Sequence, residues 1–362
     1  MVKAMNQFGN PSSLSTEGRA AHNLVEQSRA KVANLIGAQP NEIIFTSGGT
    51  EANNIVLLGI FPSLKRRKII TSIIEHPSVY ETAKRLKTRG YDVSFVPVDK
   101  QGKIDLDIFK TMLDENTALV STMLVNNEIG TIQDIKTIAE LAHSVGALVH
   151  TDAVQALGKI PLDVRSLDVD YLSISAHKIG GPKGIGALYV RNGAPYDSLL
   201  FGGGQEQNRR AGTENTIGIA GFGQACAQSN IAAQDKIREL RNLLHTEITT
   251  RISDTIMNSP DDSIPGILNI SFAGVEGETI LLALDAEGIA VSTGSACASR
   301  SIKPSRVLVA ISGNDAERAH NSVRFSLGPE NTESEIHHTV DTLEKIIKKY
   351  RDISPLGEKH GK

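Results

Sequence analysis

Residues 171–184 read YLSISAHKIGGPKG. An apolar, β-rich run, Tyr171 to Ile174, ends in Ser175, Ala176, His177 and Lys178, and a glycine-rich loop follows at once. In an open α/β sheet the chemistry gathers beyond the carboxyl ends of the strands, where this lysine would stand. Desolvation there lowers an amine's pKa and leaves it free to form a Schiff base. Gly180, Gly181 and Gly184 let backbone approach a ligand closely. Taken alone, Lys178 reads more simply as a surface lysine in a strand-to-loop turn, so its surroundings must decide.

A second stretch supplies an anion site. Residues 42–47 read as a strand, Gly48-Gly49-Thr50-Glu51 as a turn, and the chain then reads as a helix to about Ile60. Free N–H groups at such a helix start, aided by the helix dipole, favour negative charge, and Thr50 adds a hydroxyl. A plain helix cap explains the same residues. An active lysine, a phosphate site and an acid at a strand end together fit pyridoxal phosphate. That cofactor needs a carboxylate near its pyridine nitrogen to act as an electron sink. Asp152 is the candidate, with a simple helix cap as its competing reading. Gln155 could donate to the ring's phenolic oxygen, and His76 could stack on the ring or merely cap the helix after it.

Strands are expected at 68–72, 91–98, 117–125, 147–151 and 185–191, with helices at 17–36, 78–89, 105–113 and 135–145 between them. Such alternation implies parallel βαβ units. Thr50, His76, Asn127, Asp152, Gln155, Ser175, His177 and Lys178 all fall at expected strand ends and would share one crevice. Beyond about Ile231 the pattern changes. A helix through Leu243, strands at 267–272, 289–292 and 321–327, and helices at 277–286 and 332–350 suggest a smaller α+β domain. The expected fold class is α/β, with a large, mainly parallel domain over 8–232 and a small one over 233–362, joined by residues 1–7. The tail 354–362 is polar and expected to fray.

The chain has 362 residues, 40% of them hydrophobic and 22% charged, with a net charge of −3. That balance is ordinary for a globular protein and lacks the basic excess of a nucleic-acid binder. No run of 18 apolar residues and no signal-peptide pattern is present. Two cysteines, Cys226 and Cys297, make neither a disulfide framework nor a metal cluster, and a reducing cytoplasm is the expected compartment.

Nine motifs carry a resemblance: FGNPSS (8–13), TSGGTEANN (46–54), EHPSV (75–79), NNEIGTIQ (126–133), HTDAVQALGK (150–159), SAHKIGGPKGIGALYVR (175–191), GGGQEQNRRAGTEN (202–215), STGSACAS (292–299) and VRFSLG (323–328). In this order, across nearly the whole chain, they resemble the cysteine desulfurases of the NifS/IscS type, class V relatives within the aspartate aminotransferase fold (pyridoxal-phosphate fold type I). The resemblance implies removal of sulfur from L-cysteine, giving L-alanine and a persulfide on Cys297, which then passes to an iron–sulfur scaffold protein or another acceptor. Lys178 would be the Schiff-base lysine and the proton shuttle at the substrate α-carbon. His76 would stack on the ring, Asp152 would pair with the pyridinium, and Gln155 would contact the phenolic oxygen. Gly49, Thr50, Ser175 and His177 would hold the phosphate. Thr213 would reach the phosphate of the other subunit's cofactor, which implies a homodimer. Asn127 and Arg324 would hold the substrate carboxylate, a task suited to the guanidinium fork. No metal is implied, and no nucleic acid or membrane partner. Cys226 matches no catalytic motif and reads as a buried structural thiol. The long stretch between Cys297 and the helix near Val307 resembles the group that delivers sulfur to protein acceptors.

Family chains usually begin with a segment like YLDNNATT and a helix ahead of FGNPSS, whereas only seven residues precede Phe8 here. That segment lines the substrate entrance in the family. A cofactor-binding paralogue without turnover therefore stands beside the first reading, as does, with the same enzyme class but another substrate, a selenocysteine lyase or a desulfurase acting on another sulfur amino acid. Lys178 and Cys297 together argue against the paralogue, and the STGSACAS loop argues against an ordinary aminotransferase.

Overall fold

A computed structural model describes residues 1–60, 65–294 and 304–353. In chain order the first elements are α1 (Val2–Met5), α2 (Thr16–Leu35), β1 (Ile43–Thr46), α3 (Gly49–Gly59), β2 (Lys68–Ser72), α4 (Pro77–Thr88), β3 (Asp92–Val96), α5 (Leu106–Met112), β4 (Thr117–Met123), α6 (Ile135–Ser144), β5 (Leu148–Asp152), α7 (Val164–Leu167), β6 (Tyr171–Ser175) and β7 (Gly186–Val190). There follow α8 (Gln205–Asn208), α9 (Thr216–Gln228), α10 (Ala233–Arg251), β8 (Thr255–Met257), β9 (Ile267–Phe272), α11 (Gly277–Ala286), α12 (Arg306–Ile311), α13 (Ala316–His320), β10 (Ser322–Ser326) and α14 (Glu333–Ile353).

The chain divides into two units. The first holds residues 1–96, 106–125 and 133–231, built on a seven-stranded sheet of order β1-β7-β6-β5-β4-β2-β3. Strands β6, β5, β4, β2 and β3 pair in parallel, and β7 alone runs against its neighbours β6 and β1. Every residue of β4, β6 and β7 is buried. Strands covered by helices on both faces are buried along their whole length, with the hydroxyl residues Thr117, Ser121, Thr122, Ser173 and Ser175 among the apolar ones. Side chains start the helices: Ser15 accepts from the Gly18 N–H and Asp134 from the Thr137 N–H. Ile44, Ile55, Leu57, Ile69, Leu119 and Tyr171 lie within one apolar core of this unit.

The second unit holds residues 97–105, 126–132 and 232–362, on an antiparallel sheet of order β10-β9-β8. Its core joins α10, β9 and α14 through Leu244, Ile248, Phe272, Val340 and Leu343. The mainly parallel large domain and the α+β small domain match the expected fold class. The two units divide the chain differently from the expected boundaries at two places, and one expected strand is reduced. Residues 1–7 lie with the first unit, since α1 packs on α9 and Met1 comes up to Gly221. Segments 97–105 and 126–132 belong to the second unit. There Thr131 Oγ1 donates to the Gln101 carbonyl, Lys103 Nζ to the Ile132 carbonyl, and the Ile264 N–H to the Gly130 carbonyl. The strand expected at 289–292 reduces to one bridge between Ser292 and Arg324. The expected frayed tail, 354–362, lies outside the described residues.

Candidate active site

Three chain segments of the first unit meet at the carboxyl ends of β5 and β6. The first is the turn into α3. Gly48 caps that helix without a side chain, so the first N–H groups of α3 lack intrahelical partners. Gly49 is required there: a Cβ on it would stand 2.6 Å from Val154 Cγ2 and 3.9 Å from the Ser175 Cβ. The start of α3 is therefore seated directly against the ends of both strands. Thr50 follows, exposed, on the first turn. Glu51 accepts from the Ser47 N–H at 2.7 Å and pairs with Arg210 at 2.9 Å. Burial alone would raise its pKa; Arg210 and Ser47 outweigh that and hold it below the usual carboxylate range.

The second segment is the end of β6. Ser175 is buried, and its Oγ lies 2.9 Å from His177 Nδ1. Lys178, half-buried, rides on a single 3-10 turn, Ala176–Ile179. Gly180 closes that turn at φ +75°, a conformation that strains any residue with a Cβ. Burial lowers the His177 pKa, and so do the positive charges of Lys178, Lys183 and Lys159. An electropositive cluster thus faces the same corner as the open start of α3.

The third is the end of β5. Asp152 is 5% exposed; its Oδ1 accepts from the Val154 N–H at 3.0 Å and its Oδ2 from Asn53 Nδ2 at 2.7 Å. The same Asn53 amide donates to Ser78 Oγ at 2.8 Å, and Ser78 Oγ lies 2.7 Å from His76 Nδ1. His76 caps α4 by accepting from the Ser78 N–H. His76 is the helix cap that the simpler reading expected, whereas Asp152 caps no helix, since none begins after β5 before Val164; its bond to the Val154 N–H belongs to a turn, and hydrogen bonds fix the orientation of both side chains. Gln155 Oε1 accepts from Lys159 Nζ at 2.9 Å, which leaves its amide nitrogen as the donor end.

These residues fit pyridoxal phosphate. Hydroxyls, an open helix start and three lysines suit a phosphate dianion. A fixed carboxylate suits a protonated ring nitrogen. Asn53 Oδ1, buried with no partner among the described residues, adds another acceptor beside that carboxylate. Asn53 and Ser78 were not singled out from sequence. Their only signal was membership of the TSGGTEANN and EHPSV motifs, with Asn53 one turn along α3 from Thr50.

Thr213 is exposed and lines a cavity of about 270 Å³ with Ser47, Gly184, Arg210 and Asn215. Asn127 and Arg324 lie in the second unit, where Arg324 Nη1 donates to the Asn127 backbone carbonyl at 2.7 Å. Cys297 lies outside the described residues. Cys226 is buried on α9, and burial pushes its thiol up to about 12, which keeps it protonated and inert. No cluster of metal-ligating side chains occurs among the described residues, and none of their helices is long and apolar enough to cross a membrane.

Fold and site together define a pyridoxal-phosphate enzyme of fold type I. The family described as Aminotransferase class-V matches residues 1–338. A cysteine desulfurase IscS from Dictyoglomus turgidum is 48% identical over 355 residues, covering 96% of this chain and 90% of that one. A cysteine desulfurase IscS from Methanosarcina thermophila is 44% identical, covering 97% and 88%. Among solved structures, a NifS-like protein superposes with a TM-score of 0.90 at 37% identity, covering 96% of this chain and 94% of that one. SspA, solved in complex with cysteine, gives 0.80 at 34% identity, covering 91% and 95%. The chain belongs to the class V aminotransferases, within their cysteine desulfurases of the NifS/IscS type.

Proposed function

We propose that the protein takes sulfur from L-cysteine, releases L-alanine and carries the sulfur as a persulfide on Cys297. The observation that supports this most is the linked set Asp152–Asn53–Ser78–His76, built beside the Gly49–Ser175 corner and the Lys178 turn. Pyridoxal phosphate, when bound, supplies the electron sink that makes the substrate α-carbon acidic. Lys178 holds the aldehyde between turnovers and moves the proton at the α-carbon. Asp152 holds a proton at the ring nitrogen, Gln155 donates to the phenolic oxygen, and His76 lies against the ring. Gly49, Thr50, Ser175 and His177 bind the phosphate through their N–H groups, hydroxyls and ring nitrogen. Asn127 and Arg324 orient the substrate by its carboxylate. The Cys297 thiolate attacks the substrate sulfur; the new S–S bond forms as the carbon–sulfur bond breaks, and the carbon takes a proton to become alanine.

The working form is a homodimer in which Thr213 reaches the phosphate bound by the other copy. The sulfur goes to an iron–sulfur scaffold protein or another protein acceptor. The cytoplasm suits an enzyme whose nucleophile is a free thiol. The test is a visible spectrum of the purified protein before and after L-cysteine, with alanine assayed in the same tube. A yellow protein whose band shifts and which forms alanine is expected, and Cys297→Ser should keep the band and lose sulfur transfer. A yellow protein that forms no alanine favours the non-catalytic paralogue, and faster turnover of selenocysteine than of cysteine favours the lyase.

A further inference from the structure

Strand β9 is the middle strand of the second unit's sheet. Its Leu268, Ile270 and Phe272 pack in the apolar core, and Asn269 and Ser271 alternate with them on the other face. Asn269 is fully buried, yet the proposed chemistry gives it no task. A buried amide is costly unless its polar atoms are bonded, and here all are. Its N–H donates to Ser259 Oγ at 2.9 Å, and its carbonyl accepts from the Asn258 N–H at 2.8 Å. Its Oδ1 accepts from Asn258 Nδ2 at 2.8 Å, and its Nδ2 donates to the Glu128 carbonyl at 3.3 Å.

The direction of these bonds is fixed at both ends. Arg318 Nε, which can only donate, reaches Asn258 Oδ1 at 2.8 Å. The Asn258 amide therefore turns its nitrogen to Asn269 Oδ1 and to Ser271 Oγ. Asn269 must then present its own nitrogen to the Glu128 carbonyl, which can only accept. Position 269 thus needs a group that accepts on one side and donates on the other. Neither an apolar side chain nor a carboxylate does both.

Arg324 of β10 stands directly opposite Asn269 in the strand register, so the two side chains share one face of the sheet. Arg324 Nη1 donates to the Asn127 carbonyl at 2.7 Å. Neighbouring side chains therefore hold the carbonyls of consecutive residues, Asn127 and Glu128. The turn that carries them is closed on itself. Asn126 Oδ1 accepts from the Glu128 and Ile129 N–H groups at 2.9 and 3.0 Å, and the Asn126 carbonyl from the Gly130 N–H at 3.0 Å. A turn closed in this way is seated by the bonds that reach it from outside, and on β9 and β10 Asn269 and Arg324 supply them.

We propose that Asn269 is a positioning residue for substrate recognition: it seats the Asn126–Gly130 turn beside Arg324, so that Asn127 and Arg324 meet one substrate carboxylate together. Without it, the hold of β9 and β10 on the turn falls to the guanidinium that must also pair with the substrate. The inference rests on the reading that Asn127 and Arg324 hold that carboxylate, and its test separates the two.

Two ligands are compared on the cofactor-loaded, full-length protein, each read by the shift of the visible band. L-alanine carries the carboxylate, and ethylamine is the same amine without it. The ratio of their dissociation constants isolates the carboxylate contact, whereas partial unfolding or cofactor loss lowers the signal of both and leaves the ratio alone. Asn269→Leu should weaken L-alanine about 10-fold, the low end of what a hydrogen bond to a charged group contributes, and leave ethylamine unchanged. Asn258→Ala lets the Asn269 amide turn; it should narrow the same ratio, and serves if Asn269→Leu does not fold. Arg324→Ala should narrow the ratio further. An unchanged ratio in the Asn269 and Asn258 variants, or equal weakening of both ligands, overturns the proposal when Arg324→Ala does narrow the ratio. An unchanged ratio in Arg324→Ala overturns the carboxylate reading instead, and this proposal with it.

Discussion

The buried pair Arg29–Glu206 offers the sharpest stability test. Arg29 on α2 is 5% exposed and Glu206 in α8 is 8% exposed. They meet through two bonds, at 2.7 and 3.0 Å, and Glu206 also accepts the Phe45 N–H at 3.0 Å. Arg29 further donates to the Ile43 carbonyl at 2.9 Å. This pair sits at a run of consecutive left-handed, non-glycine residues. Glu206, Gln207 and Asn208 follow one another at φ 49°, 60° and 64°, each left-handed and none of them glycine. Glu206→Ala leaves the Arg29 charge buried against only the more exposed Glu26, a loss of about 3–5 kcal/mol. The orphaned Phe45 N–H adds about 1–3 kcal/mol. Relief of the left-handed strain at position 206 alone returns about 1–2 kcal/mol. The net expectation is about 2–7 kcal/mol. Arg29→Met with Glu206→Leu removes both charges together and should cost less than Glu206→Ala alone. Urea unfolding followed by far-ultraviolet circular dichroism measures both. A cost for Glu206→Ala below about 1 kcal/mol, or a double variant worse than the single one, would refute the clamp, given the usual spread of such values.

Lys178→Ala should remove the visible absorbance of the lysine-bound cofactor; an unchanged spectrum would sink the anchor assignment. Thr213→Ala should speed loss of cofactor from the dimer, and a fully active monomer would refute its cross-subunit role. His150 on β5 bridges Ser121 of β4 and Ser173 of β6 at 2.8 and 3.0 Å, and burial takes its pKa down to about 3. The unfolded chain therefore binds more protons from about pH 6.5 downward, so stability falls as pH drops through that window. His150→Asn should flatten this acid limb in denaturation midpoints measured across pH, and an unchanged slope would contradict the assignment.

What could be read from sequence tracks how local the cause is. The turn into α3, the Lys178 turn and the carboxyl end of β5 are set by strands running into glycines and polar residues, and those signals are contiguous. Asn53 and Ser78 were passed over because their task arises only when α3 and α4 are both packed beside β5. The segment GGGQEQN entered the sequence analysis only as part of a motif. The structure places its Glu206 in a left-handed turn, held by an arginine 177 residues away. Strand β8 was missed for a simpler reason. It has three residues, with Ile256 nearly half exposed, so no apolar run announces it. Segments 97–105 and 126–132 carry no local mark of belonging to the second unit, because their allegiance is set by hydrogen bonds to each other and to Ile264.

The proposed choice of Lys178 as the anchor can be weighed against the other lysines nearby. Lys159, Lys178 and Lys183 all act on His177, so charge alone does not select the anchor. Lys159 is engaged with Gln155 Oε1. Lys183 is exposed. Lys159 and Lys178 are both half-buried, but Lys178 alone of the three rides on the turn that Gly180 closes, directly after a fully buried strand. The other two have the opposite merit. Their positive charges, with the open start of α3, suit a phosphate dianion, and an anion held there would offset the cationic field that lowers the His177 pKa.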